Sequence, residues 1–349
     1  MQASPRRPIA LFALLLSTAT FCWSQSHNPE IKIGFSIENT KGERWQTDLE
    51  QFQQRAHELG AAVVIRSADG DDDVQFKQVQ ELLGSGIDVL VFLPHDTGKA
   101  GRFIDAAHAK HVPVISYDRL VTNAPADLYV GFDLFSVGVL QAQTLVAHAP
   151  KGTYLLLGGS PLDANSKVVR AGQMHVLRPL IERGDIKIVG DVWVPEWSAT
   201  QAYMLVTQSL QQQPGPITAI VASNDSIAGG AIQALEDKQW SGKVLVSGQD
   251  ADLAAVERLF DGTQIMTVYK PVGHEARTAA EAAVQLARHQ NVEGSTAVVN
   301  GSQATKAILL APIAVTEQNA KDTVLKDGFQ KLETLKRSLP KEKWAELQK

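Results

Sequence analysis

Apolar and polar positions alternate along this chain in blocks rather than residue by residue. From Ile31 onward, short apolar runs at Ile31–Ile37, Ala62–Ser67, Val89–Leu93, Val112–Tyr117 and Leu128–Phe132 are separated by amphipathic stretches near Arg44–Leu59, Val74–Leu83, Gly98–Lys110 and Leu134–His148. A strand without alternation has both faces covered, and an intervening helical period marks a crossover helix. The pattern predicts repeated β–α units and a parallel, doubly wound sheet. A second set begins at Gly152, with strands Tyr154–Leu157, Ile186–Val192, Ala219–Ala222, Val244–Ser247 and Ile265–Val268 and helices near Ala164–Glu182, Ala199–Gln212, Ser226–Gln239 and Ala251–Phe260. Two similar halves predict two α/β lobes, and on pattern alone the division falls near Ala149-Pro150. The stretch Leu332–Lys349 is charged and helical in pattern, with Pro340 interrupting it, and reads as a surface helix or a frayed end.

Residues 217–271 carry the clearest functional signal. Three apolar runs end in Asn224-Asp225, in Gly248-Gln249-Asp250 and in Lys270-Pro271, and each passes into a helix. Open parallel sheets bind ligands outside the carboxyl ends of their strands, so Asn224, Asp250 and Lys270 stand where a sheet offers functional groups. Each position also has a plain structural reading, because Asn224 or Asp225, and Asp250 or Asp252, are types that cap helices. Three such positions in register favour a site.

Composition and charge narrow the class. A chain of 349 residues accommodates two domains of roughly 100–200 residues each. A formal net charge of −5 gives no basic footprint for nucleic acid. At the N-terminus, Arg6-Arg7, the apolar Ile9–Leu16 and small and polar residues through Ser26 form the three regions of a secretory signal peptide, residues 1–26. The apolar part is shorter than the roughly 20 residues of a spanning helix. The single cysteine, Cys22, lies inside that segment behind Phe21, which argues against lipidation. The mature chain is then expected to need no disulfide, thiol nucleophile or cysteine metal site.

The residues that follow the strands form one inventory. Glu43-Arg44-Trp45 follow the first strand and Asp118-Arg119 the fourth; Gly158-Gly159-Ser160-Pro161-Leu162 leads to Asp163, Asn165 and Arg170, and Pro195-Glu196-Trp197 comes later. With Asn224, Asp250 and Lys270 these suit a neutral polyol, whose hydroxyls both donate and accept. Aspartates take the hydroxyl protons while Arg, Asn and Lys donate, and tryptophan offers a flat face to the C–H side of a sugar ring. Structural alternatives are an ion-pair network for Asp118 and Arg119, packing of Trp45 between helix and sheet, and bracing of Asp163 by Arg170. Trp193, Trp240 and Trp344 read as packing.

Asp69-Gly70-Asp71-Asp72-Asp73 fails as a calcium loop, since Val74 and Gln80 stand where an EF-hand places Gly and Glu. It reads as a solvated loop with Asp73 capping the next helix. The nine histidines lack metal-ligand spacing. No GxSxG, GxxxxGK[ST] or first-helix GxGxxG motif is present, and Gly158-Gly159 is weak evidence for a phosphate site. Glycoside hydrolysis needs a carboxyl with a raised pKa, whereas carboxylates among several cations stay ionised. No enzyme activity, cofactor or metal is expected.

The segments ASNDSIAGGAIQAL, SGQDADLAAV and GTQIMTVYKP resemble the periplasmic sugar-binding proteins of bacterial ABC importers, the type I fold of the ribose/galactose/xylose group, and the resemblance runs from about Ile31 to Phe329. It implies two doubly wound lobes joined by a hinge that the chain crosses three times. Residues 30–138 and 271–304 would form the first lobe, and 139–270 and 305–349 the second. It also implies that Arg44, Trp45, Asp118, Arg119, Asp163, Asn165, Arg170, Trp197, Asn224, Asp250 and Lys270 bind the ligand. ERW, YDR, DAN, EW, SND, GQD and YKP together look closer to the xylose-binding members than to the ribose or galactose ones, so a monosaccharide, D-xylose first, is the expected ligand. The loop Ile37-Glu38-Asn39-Thr40-Lys41-Gly42 departs from the acidic, larger residues of related proteins and leaves another aldose open. The resemblance further implies a periplasmic protein, taken as a monomer, that presents its sugar to an ABC permease; a chemoreceptor or sensor kinase is the alternative partner. A LacI-type regulator shares the fold but needs an N-terminal helix-turn-helix, where this chain carries the signal-like segment.

Overall fold

The computed structural model describes residues 31–339 apart from 42, 214, 295, 302 and 338. The signal-like segment with Cys22, as well as Pro340 and Trp344, lies outside them.

The first lobe is built from β1 (Ile31–Ile37), α1 (Glu43–Glu58), β2 (Ala61–Ser67), α2 (Asp72–Gly84), β3 (Val89–Leu93), α3 (Gly101–His108), β4 (Val114–Tyr117) and β5 (Leu128–Phe132). β3, β4 and β5 are buried at every position, as unbroken apolar runs predict. The second lobe follows with α4 (Leu134–His148), β6 (Gly152–Gly158), α5 (Ala164–Glu182), β7 (Ile186–Trp193), α6 (Ala199–Gln212), β8 (Ala219–Ala222), α7 (Asp225–Glu236), β9 (Leu245–Val246), α8 (Leu253–Asp261) and β10 (Thr267–Tyr269). The chain then returns through α9 (Val272–Ala287), β11 (Thr296–Val299) and β12 (Ala304–Leu310) before β13 (Ile313–Val315).

The first sheet runs β11-β12-β5-β4-β3-β1-β2 and the second β7-β6-β8-β9, with β10 and β13 as a separate antiparallel pair. Within each main sheet the order β2-β1-β3 or β7-β6-β8 reverses beside the first strand, the crevice in which doubly wound sheets take ligands. All main-sheet pairs are parallel except β11–β12. The pattern reading missed that hairpin and β13, because β11 is largely exposed and its composition is polar around Asn300-Gly301.

Sheet pairing moves two expected lobe limits. Residue 138/139 falls inside α4, an unbroken helix whose Gly138 packs on α5: a Cβ there would lie 1.9 Å from the Val169 carbonyl. That crossing therefore lies between Phe132 and Leu134. Residue 304/305 falls at the start of β12, which pairs with β5 in the first sheet, so the last crossing comes after Leu310. The chain passes back at Lys270–Val272, since α9 buries Ala276, Ala279, Ala280 and Ala283 in the first lobe's core.

Two smaller expectations also change. Asp71, not Asp73, caps α2, accepting from the Asp73 and Val74 amides at 2.9 and 3.0 Å. Of Leu332–Lys349, read as a surface helix or a frayed end, the described part opens as a short helix, Leu332–Leu335, and is anchored in the core and not frayed. Leu335 and Leu339 join Val256, Leu259 and Phe260 of α8 in one apolar cluster.

Candidate functional site

The carboxyl ends of the two sheets face each other across a cavity of about 720 Å³. Arg44, Trp45, Asp118, Arg119, Asp163, Asn165, Trp197, Asn224, Asp250 and Lys270 all line it. Arg170 does not. Its guanidinium pairs with Asp191, takes Gln173 Oε1 at 2.9 Å and lies 5.2 Å from the Trp193 ring centroid. It braces the far side of α5 against β7, and the brace falls on Asp191 rather than Asp163.

Arg44 enters the site because α1 begins directly after the loop from β1. It is nearly buried and meets Asp118, Glu275 at 3.1 Å, Asp250 at 3.5 Å and Asp48, one turn along α1, at 3.6 Å. Its guanidinium also covers the Trp45 ring at 4.4 Å, and that ring packs on the first lobe's core. Trp45 therefore both packs and lines the cavity. Lys270, at the end of β10, reaches Asp250 at 2.9 Å.

A second ion-pair chain crosses between the lobes. Arg119 donates to Glu38 at 2.6 Å and to the Pro94 carbonyl at 2.9 Å, and its Nε lies 2.9 Å from Asp163 of the opposite lobe. Asn165 Nδ2 donates to the Asp118 carbonyl at 3.0 Å, a second crossing beside it. At the rim, the Ala164 amide donates to Thr97 Oγ1 at 3.1 Å. The two functional and structural readings of Arg119 and Asp163 thus meet in the same atoms.

Two tryptophan faces and several backbone turns complete the cavity. A Cβ on Gly159 would lie 2.1 Å from the Trp197 ring, so the glycine at the end of β6 lets the indole lie flat on the backbone. Gly158-Gly159 is thereby a seat for two aromatic rings, since Gly158 likewise leaves room for Trp193, which is exposed and stands outside the cavity lining. Asp118 (φ 57), Trp197 (φ 54) and Asp250 (φ 100) hold left-handed backbone, a conformation that costs of order 1–3 kcal/mol and gathers at binding sites. The Asp250 turn is held from below by Asp225, which accepts from Gln264, Thr267 and the Asp252 amide at 2.8, 2.9 and 3.1 Å. Asn224 and Asp163 also cap their helices, accepting from Ile227 N and Asn165 N at 2.9 Å each.

The electrostatics follow from burial and pairing. Burial raises the Asp118 carboxyl, but the charges of Arg44 and Lys270 overcome this and hold it below its usual range. Burial pushes Asp48 up to about 7 against the pull of Arg44. Burial and the neighbouring Asp118 charge push Glu275 well above the carboxylate range. Asp48 and Glu275 escaped the strand-end inventory because they sit within helices; the Arg44–Asp48 spacing of four on one helix face was the available signal. Among the described residues no group of three or more His, Cys, Asp or Glu side chains is arranged to hold a metal ion.

Residues 33–291 match the family described as periplasmic binding protein domain. The chain belongs to this family. Over 321 residues it is 46% identical to the D-xylose-binding periplasmic protein of Haemophilus influenzae, covering 92% of this chain and 97% of that one. The Escherichia coli D-xylose-binding periplasmic protein is 45% identical, over 88% of this chain and 93% of its own length. Among solved structures, a carbohydrate transporter solute binding protein from Chloroflexus aurantiacus in complex with D-glucose superposes with a TM-score of 0.81 at 30% identity, covering 85% of this chain and 96% of that one. The two-lobed α/β architecture with parallel sheets is that of the periplasmic binding family, whose members named here bind sugars or are named for doing so.

Proposed function

We propose that this periplasmic binding protein captures one monosaccharide, D-xylose first, in the cavity between its lobes and presents it to the permease of an ABC importer. The observation that carries the reading is the cavity wall itself. Carboxylates (Asp118, Asp250), cations (Arg44, Lys270), amides (Asn165, Asn224) and the Trp197 face converge there from both lobes. A polyol needs both acceptors and donors, while an anionic ligand would meet a surplus of carboxylates. Relatives at 46% and 45% identity named for D-xylose support the choice of pentose. The N-terminal segment serves as the export signal in this reading.

Each lobe supplies part of the wall, so only the closed arrangement offers all ligand contacts at once, and sugar shifts the protein toward it. The permease would read that closed shape. A second aldose is the alternative, favoured by the D-glucose complex of a relative at 30% identity.

Calorimetric titration of refolded, sugar-free protein with D-xylose, D-ribose, L-arabinose, D-glucose and D-galactose tests the reading. Micromolar or tighter binding of xylose, lost in Asp250→Ala and Trp197→Ala, is expected. Binding of another sugar with the same losses moves the ligand and keeps the site. No heat with any of them refutes the proposal.

A further inference from the structure

Arg44 is gripped from behind the cavity as well as from within it. Asp48 on α1 and Glu275 in the first turn of α9 both face its guanidinium, and neither lines the cavity. Asp118, after β4, and Asp250, beyond β9, face the same cation from the cavity side. Lys270 is the other cation present, on Asp250. Arg119, the next positive charge, is already engaged by Glu38 and Asp163. Two hydroxyls close the surroundings. Tyr129 donates to the Asp118 carbonyl at 2.8 Å, and the buried Tyr117 hydroxyl lies beside Asp48.

The balance is two cations, Arg44 and Lys270, against four carboxyls, Asp48, Asp118, Asp250 and Glu275. Asp48 is 1% exposed and Glu275 fully buried. Uncompensated charge in such a place is strongly disfavoured, and a carboxyl relieves it by taking up a proton.

We propose that Asp48 and Glu275 are positioning residues that hold Arg44 against the sugar, and that closure on sugar takes up a proton at this cluster, so that affinity falls as pH rises. The inference rests on the sugar reading above. Its sign comes from where the cover lies. Asp250 and Lys270 belong to the second lobe, while Arg44, Asp48, Asp118 and Glu275 belong to the first. When the lobes part, Arg44 and Asp118 on the cavity wall meet water and the burial of the carboxyls behind them is partly relieved. Lys270 also leaves, which acts the other way, but burial is the largest influence on Asp48 and the Lys270 charge the smallest of the five that act on it. Burial and the Asp118 charge hold Glu275 well above its ordinary range, while Asp48, pushed up to about 7, is the group placed to titrate inside the pH range of the test below. A carboxyl with the higher pKa in the closed form supports affinity fully at acidic pH. That support is lost as pH rises toward the closed-form value and levels off above it. If opening lowers the Asp48 value by about one unit, the loss is about tenfold.

The test is calorimetric titration of the full protein with D-xylose from pH 5 to 8.5. The wild type is expected to weaken by about tenfold between pH 5 and 8.5, about half of the way in fold terms by neutrality (roughly fivefold), and to level above that. Asp48→Asn, which cannot ionise, is expected to flatten that profile. Glu275→Ala is expected to weaken binding across the range, with Glu275→Gln restoring most of it, because the amide oxygen still accepts from Arg44. Repeating the wild-type titration at pH 6.5 in buffers of different ionisation enthalpy should show fractional proton uptake, a readout that needs no variant to fold. Sugar binding with a flat wild-type profile and no proton uptake overturns this inference alone, as does an unchanged slope in Asp48→Asn. No sugar binding at any pH overturns it together with the sugar reading.

Discussion

Asp163→Asn isolates the contribution of lobe closure. Asp163 does two jobs: one oxygen caps α5 through the Asn165 amide, and the other pairs with Arg119 across the cleft at 2.9 Å. Asparagine keeps the cap, since Asn and Asp cap helices about equally well. It removes the charge and turns an amide toward a guanidinium that only donates. A hydrogen bond to a charged group contributes about 1.5–3 kcal/mol. Two features place this one at the low end. Arg119 keeps Glu38 at 2.6 Å and the Pro94 carbonyl at 2.9 Å, so it is not stranded. Burial also raises the Asp163 pKa, so part of the pair's attraction already offsets desolvation. A net loss of about 1.5 kcal/mol corresponds to roughly tenfold in affinity. Because the pair spans the lobes, the loss should appear in sugar binding and not in the stability of the sugar-free protein. Titration calorimetry with xylose, paired with thermal unfolding with and without sugar, measures both quantities. A dissociation constant within twofold of the wild type would falsify the account. So would an unfolding midpoint that drops equally with and without sugar, which would make the bridge a fixed element of the fold.

Other expectations follow from single contacts. Gly159→Ala puts a Cβ 2.1 Å from the Trp197 ring and must tilt it; xylose affinity should fall by about tenfold, with a changed tryptophan fluorescence as the check. Leu335→Ala removes a fully buried side chain from the α8 cluster and should cost about 2–5 kcal/mol in urea unfolding, whereas a frayed segment would show almost none. His95 has its pKa raised chiefly by the hydrogen bond to Glu38, 3.0 Å away. Its stabilising contribution is complete below the ordinary histidine range and disappears as pH rises through the raised value. Urea midpoints from pH 5.5 to 8.5 should therefore decline less in His95→Gln than in the wild type, and parallel curves would reject that coupling.

Local periodicity is short-ranged, so the sequence by itself determined what lies within a strand-turn-helix unit. The β–α alternation, the two lobes and the delivery of Arg44, Asp118, Asn165, Asn224, Asp250 and Lys270 to strand ends were legible because each depends on neighbours a few positions away. Where the chain changes lobe after β5 and after β12 was not legible: a helix such as α4 shows its partner only through packing, and β12 shows its lobe only by pairing with β5. The β11–β12 hairpin lacked a buried face to announce it. Charge partners were decided by tertiary structure alone. Nothing local tells Arg170 to turn to Asp191, or brings Glu275 of α9 to Arg44 across 231 positions of chain. Both outcomes follow from burial, because a charge removed from water must be met by whichever opposite group the packed lobes bring within reach.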